Sequence, residues 1–435
     1  MEDLQAKDFY SIQDAVAFNI PVDEEHPYYT DFSALRSDFH ESKIYKHLNI
    51  NPTTKDCNVL REPKKIFLSG YKGTGKTSEL LKLTNSINST KCYFSVFVDI
   101  SDEELDANNI ETIDILILML EKLVQKLEKH GAQVSPDSIA SFYDWYKTRI
   151  EEINKKVDIS ASIEVETKAK IGLLDFFSIL VKTKGKLQAS DETKNTIRTE
   201  FKNRFSDFSM KFNEFILSLK EQFQAKSEYK DILFIIDGFE KIGSLEDRKK
   251  ILVDDANKFT IIKTHMIITL PIELFSEKNR LNHFSTTVQF PLVDLGKEGA
   301  TERFKEFILK RVNENLFSEN AIDKIIKFGA GHPRQTLQII SRAFVEADKE
   351  VIDEDSVKKA VEILGREMSE VTDDEIEVLK KIIKKEIIGS SNIYTGLKSK
   401  NIILDYDTSS EASIINPIVM ENKTFQKHIE QSNVE

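Results

Sequence analysis

Apolar residues in this chain change spacing from stretch to stretch, and the spacing predicts the elements. Lys65-Ile66-Phe67-Leu68-Ser69 reads as a short buried strand, and Ser78-Glu79-Leu80-Leu81-Lys82-Leu83 as a helix soon after it. Tyr93 to Ile100, aromatic and β-branched, predicts a second strand. From Ile110 to about His130 the apolar positions recur at helical spacing, and another helix follows Pro136-Asp137-Ser138 to about Lys156. Residues 157 to 190 break the pattern. Val157, Ile159, Ala161, Ile163, Val165, Ala169 and Ile171 lean towards a period of two; Leu173-Leu174-Asp175-Phe176-Phe177 and Lys182-Thr183-Lys184-Gly185-Lys186 follow. The segment fits a projecting hairpin, a partner-binding patch or a helix. Residues 191 to 229 are helical again, with a stripe of Phe201, Phe205, Phe208, Phe212, Phe215 and Ile216 that reads as core.

Strands are predicted next at Asp231 to Asp237, His265 to Pro271 and Thr286 to Pro291. From Gly296 to Gly365 the pattern is helical, near 299–313, 318–328, 333–348 and 354–364, as in a lid. The tail has helices at Asp373 to Lys385 and around Ile393 to Lys400. Two strand-like runs follow, Ile402 to Tyr406 and Ala412 to Asn416, joined through Thr408-Ser409-Ser410, an order that resembles a winged helix. Beyond Asn422 the chain is polar and reads as frayed. Residues 1 to about 62 predict short helices leading into the first strand, with Ile44 or Tyr45 lining a pocket or, more plainly, packing in the core. The expected divisions are a lead-in over 1–62, a core over 63–295 with an insertion at about 105–228, a lid over 296–365, and a C-terminal domain over 366–435.

A chain of 435 residues has room for two or three such units, and 40% hydrophobic with 31% charged residues fits a globular protein with much helical surface. The net charge of -12 argues against broad nucleic-acid binding. Cys57 and Cys92 make no metal or disulfide framework, which points to a reducing cytoplasm. The start, Met1-Glu2-Asp3-Leu4-Gln5, has no signal-peptide pattern, and no apolar run nears the ~20 residues that span a bilayer. A soluble protein with no membrane partner is expected.

Chemistry concentrates between the first strand and helix. Gly70-Tyr71-Lys72-Gly73-Thr74-Gly75-Lys76-Thr77 fits G-x-x-x-x-G-K-[ST], the phosphate-binding loop of nucleoside-triphosphatases, in its required strand–loop–helix context. Its glycines permit a tight turn, so that N–H groups from Gly70 to Ser78 can face phosphate oxygens at the helix start. Lys76 would reach the β- and γ-phosphates of ATP, and the Thr77 hydroxyl would ligate Mg²⁺. Ile232 to Ile236 deliver Asp237 to the carboxyl end of a buried strand, where it would hold the other side of the Mg²⁺ shell. Glu240 either polarises the attacking water or caps the following helix. Arg280 lies between the last two strands, where a trans-acting arginine finger is often found; a solvated arginine is the plainer reading. In Gly331-His332-Pro333-Arg334, proline suits the first turn of a helix and puts Arg334 at its start.

Taken with Thr269, these motifs resemble AAA+-like and STAND-type P-loop ATPases, the group of origin-recognition-type initiators and NACHT-like switches. The Gly331-His332-Pro333-Arg334 signature and the tail pattern are its most typical part. Tyr29-Thr30-Asp31-Phe32 ahead of Phe67 to Leu80 also looks like a family of bacterial ATPases. The resemblance covers residues 28 to 365 well. It implies an α/β core with a parallel sheet of order 5-1-4-3-2, a large mainly helical insertion, a helical lid and a winged-helix-like end. It also implies ATP with Mg²⁺, sensor roles for Thr269 and Arg334, and a nucleotide-controlled switch that assembles with itself or with a separate protein effector, as in bacterial antiviral defence or stress signalling. A DNA-associated initiator and a scaffold with a vestigial site are the alternatives. Asp237 and Glu240 are split rather than adjacent, which implies slow turnover.

Overall fold

A computed structural model of the protein describes residues 4–36, 39, 41–101, 106–132, 134, 136–157, 162–163, 172–187, 190–226, 228–281, 286–368, 370–386, 392–406, 413–423 and 425–427. Strands β1 (Lys65–Gly70), β2 (Tyr93–Asp99), β3 (Asp231–Asp237), β4 (His265–Pro271) and β5 (Thr286–Phe290) form a parallel sheet of order β2-β3-β4-β1-β5. That is the order implied by the resemblance. Successive side chains on a strand face opposite ways, and here both faces are covered. Ile66, Leu68, Leu233, Ile235 and Ile267 pack with Leu80, Leu83 and Ile87 of α1 (Lys76–Ser89) and with the short lead-in helix Glu41–His47. Phe67, Phe94, Phe234 and Ile268 point to the other side.

That other side receives the insertion. Helices α2 (Thr112–Lys129), α3 (Pro136–Asn154), α4 (Leu173–Leu187), α5 (Asp191–Asn203) and α6 (Phe205–Ala225) share one apolar core with the sheet. Phe142 and Phe215 flank Phe176 at ring distances of 5.2 and 5.9 Å, and Phe212 reaches Phe234 of β3. The Phe stripe is therefore core, as expected. The hairpin and projecting-patch readings fail for residues 172–187, which form one helix docked on its neighbours; the alternating run at 158–161 and 164–171 lies outside the described residues. Two buried ion pairs set how these helices sit on α2: Arg198 to Asp114 at 2.5 Å and Lys184 to Glu121 at 2.9 Å. Breaking either would strand a buried charge, so such pairs specify geometry more than they add stability.

The segment expected to act as a lid follows as α7 (Ala300–Leu309), α8 (Ala321–Gly329), α9 (Pro333–Glu346) and α10 (Glu354–Met368). The lead-in packs on it as well as on the sheet: Phe32 meets Phe304 at 4.7 Å and Phe9 meets Phe344 at 4.7 Å. Tail helices α11 (Asp373–Ile383) and α12 (Asn392–Ser399) precede the antiparallel pair β6 (Ile403–Asp405) and β7 (Ser413–Ile415); the turn between these strands lies outside the described residues. The last described residues are not all polar surface, because Phe425 is buried in the tail core. The tail touches the lid through a reciprocal amide pair, Gln335 with Asn416, at 3.1 and 2.7 Å.

One expectation needs correction. Cys57 and Cys92 are joined as a disulfide, because the bridge of Ile50 with Cys57 folds the lead-in loop over the start of β2 and brings the two Cα atoms to 6.0 Å. Ile44 and Tyr45 are core residues beneath α1, so of their two readings the plainer one, core packing, holds. Among the described residues, no helix is long and apolar enough to cross a membrane.

Candidate functional site

Strand β1 ends at Gly70, the loop turns above the carboxyl edge of the sheet, and α1 begins at Lys76. Gly73 to Ser78 line a cavity together with Glu240, Arg334 and, from the lead-in, Phe18, Tyr29 and Arg36. Lys76 is buried, and its Nζ donates to the carbonyls of Gly70 at 3.0 Å and Tyr71 at 2.6 Å. Burial lowers its pKa, against the opposing charges of Glu240 and Asp237. The Thr77 hydroxyl donates to Asp237 Oδ2 at 2.6 Å, so the two proposed Mg²⁺ holders, far apart in sequence, meet directly. Burial, then the charge of Glu240, raises the pKa of Asp237, while the Thr77 hydrogen bond opposes the shift.

The other oxygen of that carboxylate, Oδ1, is buried with no hydrogen-bond partner among the described residues, and so are Ser69 Oγ and Thr269 Oγ1. Each lies at the carboxyl end of a central strand, and Thr269 shares its face of β4 with Ile267 on the α1 side. Unpartnered buried oxygens are costly unless a ligand or ordered water meets them. They fit a hydrated Mg²⁺, a hard cation that takes one or two protein oxygens and completes its shell with water and phosphate. Thr77 and Asp237 would hold it, and the ion would supply charge neutralisation to the phosphates.

Glu240 lines the cavity and caps no helix: its own short turn starts at Gly238 without a side-chain cap, and Ser244 caps the next helix. The capping reading is thereby removed. Arg280 is not in the cavity. It is exposed and pairs with Asp254 at 2.9 Å and Glu277 at 3.4 Å, a solvated arrangement. Gly70, Tyr71 and Lys72, expected to cradle phosphate, do not line the cavity either. The Lys72 side chain is exposed, and Tyr71 is buried on the far side of the loop with Leu292, Ala330 and Leu404 of β6. Ser78 Oγ accepts from the Val22 amide at 3.2 Å, which ties the lead-in to α1.

The lid docks on the loop through its signature. Pro333 opens α9, and His332 caps it: Nδ1 accepts from the Gln335 amide at 3.2 Å. Nδ1 is thus an acceptor, which leaves the proton on Nε2 to be donated to the Lys72 carbonyl at 2.9 Å. The Arg334 amide donates to the Gly73 carbonyl at 3.2 Å. A Cβ on Gly73 would fall 2.7 Å from the Arg334 side chain, so glycine permits this approach. Arg334 therefore enters the cavity beside the loop, where the opposite charge of Glu240 acts on it through space.

Burial, and then the Arg334 charge, holds the His332 imidazole down to about 3 from its ordinary 6.5. Folded protein keeps it neutral, whereas the unfolded chain takes up a proton below about 6.5. Stability is thus complete above that pH and is lost as pH falls through the window down to about 3, by about 1 kcal/mol at pH 5.5. Urea unfolding at pH 7.0 and 5.5 should show this loss in the natural protein and a smaller one in His332→Asn. Equal losses would remove the assignment.

No family model and no curated protein matches this sequence. Among solved structures it is similar to the Aeropyrum pernix ORC1 protein in complex with DNA, at 10% identity and TM-score 0.35 over 92% of this chain and 82% of that one. It is similar also to Cdc6p from Pyrobaculum aerophilum, at 12% identity and TM-score 0.33 over 90% and 93% of the two chains. The Thermotoga maritima RuvB Holliday junction branch migration motor gives 11% identity and TM-score 0.34 over 93% and 98%. Likenesses this slight carry no weight for function, which rests on the residues of the site.

Lys76, Thr77, Asp237, Glu240 and Arg334 are legible in the sequence, and the fold brings all five into one place. Arg36 and the inward side of Tyr71 are not. No local signal marks either one: an arginine in a polar lead-in looks like surface, and Tyr71 occupies a variable position of the loop motif.

Proposed function

We propose that this protein is an ATP-binding and slowly ATP-hydrolysing switch, in which the nucleotide state of the loop sets the position of the lid and tail. The observation that carries this reading is the docking of the lid signature on the main chain of the loop, the His332 side chain on the Lys72 carbonyl and the Arg334 amide on the Gly73 carbonyl. A ligand that reshapes the loop must alter those contacts. The tail is tied to the same place, since Tyr71 packs on Leu404 and the Tyr406 hydroxyl donates to the Ala330 carbonyl at 2.9 Å. In this reading residues 63–295 bind ATP, residues 296–365 act as the lid, and residues 366–435 act as a winged-helix-like docking module. Lys76 and Arg334 meet the phosphates, Thr77 and Asp237 hold Mg²⁺, Glu240 orients water, and Thr269 senses the γ-phosphate. The output is self-assembly or engagement of a separate effector chain. Arg280, on the surface, is free to serve a neighbouring subunit only if its two acidic partners release it.

Amide hydrogen exchange over residues 321–346, with and without ATP and Mg²⁺, tests the reading. ATP should change protection across the start of α9 in the natural protein. Arg334→Ala should abolish that change and lower hydrolysis by about a hundredfold, the scale of losing one aimed cation. Exchange indifferent to ATP in the natural protein would sink the switch.

A further inference from the structure

We infer that Arg36 is a positioning residue that shapes the phosphate loop from behind, so that phosphate affinity is set partly by the lead-in. The inference rests on the reading of the cavity as a nucleoside-triphosphate site. Arg36 is 3% exposed, yet it lines that cavity. Its Nη2 donates to the Thr74 carbonyl at 2.6 Å and its Nη1 to the Pro291 carbonyl, while the guanidinium lies 4.1 Å from the centre of the Phe290 ring. Its backbone pairs with Val293, just beyond β5, so the side chain starts from a fixed point.

Three features separate this from ordinary packing. First, the group stays a cation: burial lowers its pKa only to about 10. Second, among the described residues no carboxylate forms an ion pair with it; Glu79 and Asp31 act on it only through space. A buried charge lacking a contacting counter-charge is costly, and the natural compensation beside a phosphate loop is the phosphate itself. Nε, also buried, has no hydrogen-bond partner among the described residues. Third, the peptide bond is planar and trans, so its C=O and N–H point in opposite directions. With the Thr74 carbonyl held towards Arg36, the Gly75 N–H is aimed away from it and fixed in direction. Arg36 thus sets a loop donor as well as adding positive potential, from a segment outside the loop motif.

Titration of the full-length protein with ATP, and with AMP by competition, tests this. Arg36→Met should weaken ATP binding about tenfold to a hundredfold, the range for losing charge-assisted hydrogen bonds. AMP, with fewer phosphates, should lose less. Arg36→Lys keeps the charge but not the two-pronged geometry, and should fall between Met and the natural protein. If Arg36→Met does not fold, Arg36→Gln, neutral but still able to donate to one carbonyl, carries the same expectation. A folded neutral variant with natural ATP affinity, or one that loses ATP and AMP by the same factor, would overturn the inference and leave the switch standing. A natural protein that binds no ATP would overturn both.

Discussion

Lys76→Ala should reduce ATP affinity by at least a hundredfold, or about 3 kcal/mol. The size follows from where the ammonium sits. It is buried, and its pKa is lowered by burial against the pull of Glu240 and Asp237, so its desolvation is already built into the fold. It therefore meets a phosphate without first shedding water, and charge-assisted bonds in such a site are among the stronger ones. Alanine also frees the carbonyls of Gly70 and Tyr71, and with them the inward hold on the loop. Calorimetric titration reads the affinity, and size-exclusion chromatography reads any ATP-dependent change in assembly, which should vanish together with binding. Natural affinity in Lys76→Ala would mean that the cavity does not take a triphosphate in the orientation described here.

The second large effect belongs to the lid. Gly331→Ala should destabilise the protein by about 3 kcal/mol or more, through left-handed backbone strain added to a steric clash. Gly331 has φ of +72°, and a Cβ there would fall 1.9 Å from the Val293 carbonyl oxygen, closer than any relaxation of side chains can relieve. The Val293 amide in turn donates to the Gly331 carbonyl, so the clash also breaks the link between the end of the sheet and the start of α9. Thermal unfolding reads the stability. Exchange at the Arg334 amide, bonded to Gly73 in the natural protein, reads the docking and should quicken. A melting temperature equal to that of the natural protein would show that the lid is not held at this point.

The two positions differ in how far the sequence alone could take them. Lys76 and Thr77 belong to a motif whose chemistry is local: glycines, a lysine and a hydroxyl within one turn of chain suffice to predict a phosphate loop. Asp237 was legible for a similar reason, since an acid ending a run of apolar residues marks the carboxyl end of a buried strand. Proline placed Arg334 at a helix start, but the roles of Gly331 and Arg334 were not legible, because a glycine's need for left-handed backbone and a lid arginine's target depend on what stands opposite. For Gly331 that is Val293; for Arg334 it is Gly73.

Spacing along the chain determined the buried strands, most of the helices, and a triphosphate loop followed by an acid. These depend on neighbours a few residues apart, and local chemistry suffices to reveal them. Tertiary structure alone decided that Cys57 meets Cys92, that α4 is a helix within the core, that Tyr71 faces the tail, and that Arg36 stands behind the loop. Each of those depends on a partner distant in sequence. A buried charge or a paired thiol leaves no period in the chain, so it shows only when folding brings its partner to it.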